Sequence, residues 1–449
     1  MIAELFPSVP GWTLIAILVD LYCLIPSQQS QFPLVNHYPG DLFRRKAYQE
    51  YSQNAKKLIA DGLAKYQGPF TLLIPKGKKI ILPSFLSDWV KTNRDLDHQE
   101  LVREEYFSEF PRFEALYAAH SPDRMLIDLL RTKLTQLEEL LPTINQHDQS
   151  WHQLEWEKDT TGIISLAAAS VFVGPGMALD SEWQNVVQTY VREFFTVVGE
   201  LSAWSPPLRP IGQAAPQHKD VLSWTSNIAS NKLPAGDIQL ALAMAGVFTT
   251  SEAFRQALID LAQHPELVAP LREEVTQCIA DHRLSQIALQ RMELLDSVMK
   301  ESQRFTPALV GLERKVIRDT TLPDGRTIPK GSHLMVDSSE MWSSKVHKQP
   351  DTFDGYRFVK RRQTGDKASS YVQSSREHNV FGGGRHICPG RFFAGTELKI
   401  CLVHILLKYD IRLKEGYVSA SLQFGAYVAI DPFANFEVRR RSETEPCPS

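Results

Sequence analysis

The sequence predicts a mainly α-helical domain with a small β-sheet region, and three observations carry that expectation. Apolar residues make up 43% of the 449 residues and recur over long stretches at helical spacings. GPFTLLIPKGKKIILP (68–83) and ERKVIRDTTLPDGRTIPKGSHLMV (313–336) instead read as short strands around Pro-Lys-Gly and Pro-Asp-Gly turns. No internal repeat or low-complexity tract interrupts the chain, so it divides most simply into an N-terminal segment, 1–28, and one continuous domain, 29–449.

Within the first segment, GWTLIAILVDLYCLI (11–25) is apolar apart from Asp20; as a helix it would span about 22 Å, short of the roughly 30 Å hydrocarbon core. It reads as a hydrophobic anchor or an interfacial helix, since Asp20 is costly at bilayer depth. Pro26, Pro33 and Pro39 follow, then Arg44, Arg45 and Lys46, which by the positive-inside rule put the rest of the chain on the cytoplasmic side. The formal net charge of -3 gives no field for a polyanion, so no nucleic-acid partner is expected. Cys23, Cys278, Cys388, Cys401 and Cys447 are too few and too scattered for a disulfide framework and point to a reducing compartment.

The most distinctive helix is predicted from Ile238, after Asp237 as N-cap, to Gln263, before His264 and Pro265. Its first half, IQLALAMAGVF, is apolar nearly all round, the pattern of a helix through the protein's centre. Gly246, Thr249 and Thr250 interrupt it. A mid-helix glycine costs about 1 kcal/mol relative to alanine, and a threonine hydroxyl can turn back to the carbonyl four residues earlier, here Ala245, loosening the helix. The interruption is either close helix packing or a soft spot that lets a flat or diatomic ligand reach the backbone.

FGGGRHICPG (381–390) precedes a helix whose stripe, Leu398, Cys401, Leu402, Ile405 and Leu406, has spacings of three and four. Cys388 therefore stands at a helix entrance, with Pro389 expected at the first helical position. Gly382, Gly383, Gly384 and Gly390 permit a narrow loop whose amides, together with the helix dipole, are expected to lower the thiol pKa and hold a thiolate. Such a thiolate serves as nucleophile, zinc ligand or axial ligand to haem iron. His386 is poorly placed as the base a nucleophile needs, and no second cysteine is near enough for zinc. Haem needs one proximal ligand, cations such as Arg385 or His386 for its propionates, and an aromatic residue such as Phe381 for packing. An inert buried thiol is the remaining alternative.

These residues resemble the haem signature of the cytochrome P-450 family of haem-thiolate monooxygenases. Phe381, Gly384, His386, Cys388 and Gly390 match it position by position, with His386 where many members carry arginine. Glu301 and Arg304 in KESQRF match the family's Glu-x-x-Arg helix, and Arg357 in FDGYRF matches the arginine that closes an ion-paired structural triad. DVLSW (220–224), MKESQRF, DGRTIP and CPGRFFAGTELK are similar to filamentous-fungal members that act on terpenoids and other secondary metabolites.

The resemblance implies the cytochrome P-450 fold, haem b with Cys388 as axial thiolate, and oxygen insertion into a lipophilic small molecule, the thiolate favouring O–O cleavage. Thr249, with Ala245 and Gly246, matches the distal Ala-Gly-x-acid-Thr pattern, but Phe248 holds the acid's position. The relay then falls to Thr249 with Thr250 or ordered water; alternatively the reaction is a rearrangement, a dehydration or peroxide-driven chemistry. A haem sensor or carrier without enzymatic activity is a further alternative. Where the family offers Trp-x-x-x-Arg to a propionate, Ile127 replaces the tryptophan, leaving Arg131, His120, Arg124 and Arg314 as candidates. The pocket is expected from Met244, Ala245 and Phe248, from TPALVG (306–311) including Leu309 and Val310, and from the turn Phe424 to Tyr427, all mostly apolar. No flavin or nicotinamide signature is present, so the resemblance implies a separate NADPH-dependent cytochrome reductase. It would dock near Cys388 on Arg391, Lys399 and VKRR (359–362). The resemblance also implies attachment to the endoplasmic reticulum membrane, with the catalytic domain facing the cytoplasm.

Overall fold

The computed structural model describes residues 32–41, 43–107, 150–173, 175–203, 240–305 and 308–441. The anchor segment 1–28, His120, Arg124, Ile127, Arg131, DVLSW, the Asp237 cap, Thr306 and Pro307 lie outside them. Among the described residues no helix is long and apolar enough to cross a membrane.

Helix α1 (Arg45–Tyr66) leads into β1 (Phe70–Ile74) and β2 (Gly77–Leu82), an antiparallel hairpin that closes at Ile74 and Gly77, as the Pro-Lys-Gly turn predicts. Every residue of β1 is buried, the pattern of a strand covered on both faces. α1 supplies one cover through Tyr51, Ala55, Leu58 and Ile59. Next come α2 (Ser87–Thr92), β3 (Leu96–Asp97) and α3 (His98–Glu105). Asp97 caps α3, its carboxylate accepting from the amides of Gln99 at 2.8 Å and Glu100 at 3.1 Å. The second β-rich stretch supplies β4 (Val310–Val316) and β5 (His333–Asp337), and the five-stranded sheet runs β1-β2-β5-β4-β3. Only β2 and β5 pair in parallel.

The helical body comprises α4 (Trp156–Phe172), α5 (Ser181–Ala203), α6 (Thr249–Gln263), α7 (Glu293–Phe305), α8 (Arg357–Gln363) and α9 (Arg391–Lys408). Its core joins Ile164 and Ala168 of α4, Phe254 and Leu258 of α6, Leu295 and Val298 of α7, and Leu398, Cys401 and Leu402 of α9. All five residues of the predicted α9 stripe are buried. The soft spot before α6 is real: Met244–Phe248 forms one turn of π-helix, and Thr249 Oγ1 donates to Ala245 O at 2.9 Å. Close packing holds there as well. A Cβ on Gly246 would lie 3.5 Å from the ring of Phe172 and 3.8 Å from that of Phe393, so α4 and α9 approach the π turn together.

Near the C-terminus, β6 (Leu422–Phe424) and β7 (Tyr427–Ala429) form a hairpin that folds back onto α1. Ala426 N donates to Tyr51 Oη at 3.1 Å and Leu309 N to Ala426 O at 2.8 Å, so the turn and the segment after α7 meet as expected.

Candidate active site

The cysteine loop closes on itself: Cys388 N donates to Phe381 O at 2.8 Å, and Phe381 sets its ring edge-on to Tyr371 at 5.4 Å. The following helix begins at Arg391 with Gly390 at its N-cap, so Pro389 precedes the first turn instead of occupying it. The amides of Gly390 and Arg391 reach the sulfur, as the helix-entrance position predicts. The expected fall in thiol pKa does not follow. Burial pushes Cys388 upward, and the two amides with the Arg391 charge only moderate the rise. Fixed partial charges do not replace lost hydration; a metal cation on the sulfur would, displacing the proton.

The glycines have separate causes. Gly384 has φ +65, and a Cβ there would fall 2.1 Å from the carbonyl oxygen of Lys91 in α2. A Cβ on Gly390 would meet only the sulfur, at 4.0 Å. Gly384→Ala is therefore expected to lose most haem occupancy and Gly390→Ala to keep it, as measured by haem absorbance per protein.

On the opposite side, Ala245, Phe248 and Thr249 are exposed, whereas Met244, Val247 and Thr250 are buried. Thr249, not Thr250, is presented to open space. Phe248 stacks on Phe195 of α5 at 4.2 Å, and Phe195 meets Tyr106 edge-on at 6.4 Å, so Phe248 extends an aromatic wall. Among the described residues of this turn no acid replaces it: Glu252 is ion-paired with Arg255. Of the other pocket candidates, Met244 packs with Phe107 and Tyr190, and Leu309 and Val310 pack with Tyr51 and Leu72.

The cations rearrange relative to expectation. Arg385 Nε donates to His386 Nε2 at 2.8 Å, while its terminal nitrogen bonds Leu96 O and lies 3.5 Å from Asp97. Burial, then the charge of Arg314, pushes His386 down to about 4, so it is neutral at pH 7 and brings no charge to an anion. Arg314 fits that role better. It is 2% exposed, donates to Glu313 O at 2.7 Å and Gly383 O at 3.2 Å, and keeps a buried Nε–H without a partner. Burial lowers its pKa to about 10, which leaves it charged. A buried guanidinium with a spare N–H beside the cysteine loop, with amides on the sulfur, suits a haem: Cys388 would hold the iron and Arg314 a propionate.

Glu301, Arg304 and Arg357 form the predicted triad. Arg304 donates to both Glu301 oxygens at 2.7 and 2.8 Å, and Arg357 Nε to the same two at 2.9 and 3.0 Å. The arginines also bind main-chain carbonyls, Arg304 that of Met341 and Arg357 those of Lys348 and Thr352, which ties α7 to the chain entering α8.

The basic docking residues are mostly engaged internally. Lys399 is buried with Nζ 2.8 Å from Asp296; Lys360 pairs with Asp354, Arg361 with Asp366 and Glu377, and Arg362 with Asp296. Nearer Cys388 the surface shows exposed Phe392 and Val380, with Arg391 lying over the Phe392 ring at 4.3 Å.

The family model described as cytochrome P-450 matches residues 238–428. The chain is 32% identical to cytochrome P-450 monooxygenase adrA of Penicillium rubens, with 96% of each chain covered. It is 31% identical to cytochrome P-450 monooxygenase pyr3 of Aspergillus fumigatus, over 90% of this chain and 88% of that one. A fumitremorgin C monooxygenase of Neosartorya fischeri is 27% identical over 98% and 97%. Among solved structures, the haem domain of a cytochrome P-450DA mutant superposes with a TM-score of 0.60 at 17% identity, covering 94% of this chain and all of that one, a likeness of fold.

Proposed function

Because this chain belongs to the cytochrome P-450 family of monooxygenases, we propose that it oxidises a lipophilic product of secondary metabolism, a terpenoid or related skeleton, with electrons from a separate NADPH-dependent reductase. The observation that carries the reading is Cys388 at the entrance of α9, with two amides on its sulfur and the spare Nε–H of Arg314 beside its loop. Thiolate-ligated haem supplies an oxidant able to attack an unactivated C–H bond. The protein's own part is positional. The amides of Gly390 and Arg391 steady the sulfur, and Arg314 offers an N–H to an anionic edge. The exposed face of the π turn presents Ala245 and the Thr249 hydroxyl, which can leave Ala245 O to orient a proton-donating water. The wall of Phe248 and Phe195 excludes bulk water and offers an apolar surface, consistent with lipophilic substrates and with relatives such as the fumitremorgin C monooxygenase. Residues 11–25 with Arg44, Arg45 and Lys46 support attachment to the endoplasmic reticulum membrane, this domain facing the cytoplasm.

One observation favours a second reaction on the same haem. With Phe248 stacked and Glu252 paired, no acid among the described residues of this turn faces the open side, which suits rearrangement, dehydration or peroxide-driven chemistry. Product formation is expected to require NADPH, reductase and O2 together; product formed with peroxide alone, or without oxygen, would establish the second reading. Thr249→Ala is expected to lower product per NADPH oxidised by roughly a hundredfold, the low end of what positioned proton transfer contributes.

A further inference from the structure

The residues around the aromatic wall are not wholly apolar. Glu313 on β4 is half-buried, and burial pushes its carboxyl above the usual range. Tyr427 at the start of β7 donates to its Oε1 at 2.5 Å. Its Oε2 has no hydrogen-bond partner among the described residues. Tyr427 is rigidly placed, since Ala426 just before it is fixed to Tyr51 and to Leu309.

The charges nearby do not explain Glu313. Lys79, fully buried, pairs with Glu105 and lies 2.7 Å from His333 Nδ1; Lys76 also reaches Glu105 at 3.3 Å, and Lys315 reaches Glu104 at 2.7 Å. Those cations and acids satisfy one another. No described cation makes an ion pair with Glu313, and a half-buried carboxylate without one is unfavourable unless something else uses it. Its surroundings name the user. Tyr106, whose phenol is raised by burial and then by the charges of Glu313 and Glu105, leads through Phe195 to Phe248 on the exposed face of the π turn. On the other side, Arg314, the next residue, reaches the cysteine loop at Gly383. Glu313 thus stands between the aromatic wall and the cysteine corner.

We propose that Glu313, oriented by Tyr427, is a specificity-determining anchor that accepts a hydrogen bond from a hydroxyl or N–H group on an otherwise apolar substrate. The assignment rests on the haem-thiolate reading, because it takes the oxidised position to be measured from iron at Cys388. It adds one polar contact to the mostly apolar lining expected from the sequence.

The test uses the haem-loaded full chain and N-alkylimidazoles of increasing chain length, each made with a terminal methyl and with a terminal hydroxyl, titrated by the Soret shift of nitrogen ligation. At one chain length the hydroxyl compound is expected to gain roughly tenfold in affinity over the methyl compound, as for a hydrogen bond to a charged acceptor. Glu313→Leu should abolish that gain; Glu313→Gln, which keeps a carbonyl acceptor, and Tyr427→Phe, which keeps the carboxylate but releases its orientation, should each retain part of it. A gain absent at every length, or one that survives Glu313→Leu, would overturn the anchor while leaving the haem assignment intact. Absence of any Soret shift with every imidazole would instead overturn the haem reading, and the anchor with it.

Discussion

A Cys388→Ser chain, reduced and exposed to carbon monoxide, is expected to lack the long-wavelength Soret band that the unaltered protein shows. The substitution separates chemistry from architecture. Cys388 is half-buried, and the bond that closes its loop is made by its backbone, N to Phe381 O at 2.8 Å, which serine keeps. Stability should change by about 1 kcal/mol or less, as for substitutions that remove no core contact. The sulfur's ability to become an anion is what disappears. Burial holds the thiol above its usual range, so the free protein keeps its proton at neutral pH, and a metal cation must displace it. A serine hydroxyl offers no comparable soft anion. Cys401→Ser is the matched control: Cys401 is fully buried in the core next to Glu397 on α9, so serine there should lower the melting temperature while leaving the band in place. A Cys388→Ser protein that retains the band would end the assignment.

What could be read in advance was local. Gly246 and Thr249 act within one turn, so the loosened helix was visible in AGVFTT, and the α9 stripe and the Pro-Lys-Gly hairpin follow from spacing and turn chemistry. Directions set by distant chain were not legible. Phe248 turns toward α5 because Phe195 is there, and nothing in AGVFTT records it. Arg385 and His386, beside Cys388 in sequence, are drawn toward Leu96 and Asp97, whereas Arg314 arrives from β4 with a free N–H. Lys399 and VKRR look like a basic face until Asp296, Glu377 and Asp366 pack against them. The thiol's upward shift is a packing effect, since desolvation depends on what surrounds the corner. Glu313 and Tyr427 meet across 114 residues, beyond any motif.

Glu301→Ala is expected to yield little haem-loaded protein, through a loss of about 3 to 5 kcal/mol of stability. The carboxylate is completely buried and accepts four guanidinium hydrogen bonds besides one from Asp354 N at 3.0 Å. Among the described residues alanine removes the only anion paired with Arg304 and Arg357, which are 1% and 6% exposed, and leaves two like charges facing each other in a dry interior. Their bonds to Met341 O, Lys348 O and Thr352 O can survive only with that repulsion, so the connection between α7 and α8 is the part that opens. Glu301→Gln keeps the shape and loses the charge, and should fall between alanine and the unaltered protein. Arg304→Lys should also be intermediate, because a point charge cannot make the two parallel bonds at 2.7 and 2.8 Å. None of these changes touches the sulfur. Whatever fraction of Glu301→Ala does load haem should therefore give the same carbon monoxide spectrum as the unaltered protein, a defect of amount and not of kind. Normal occupancy and melting temperature in that variant would show that the triad is not what ties α7 to α8, and an altered spectrum would place Glu301 in the chemistry instead.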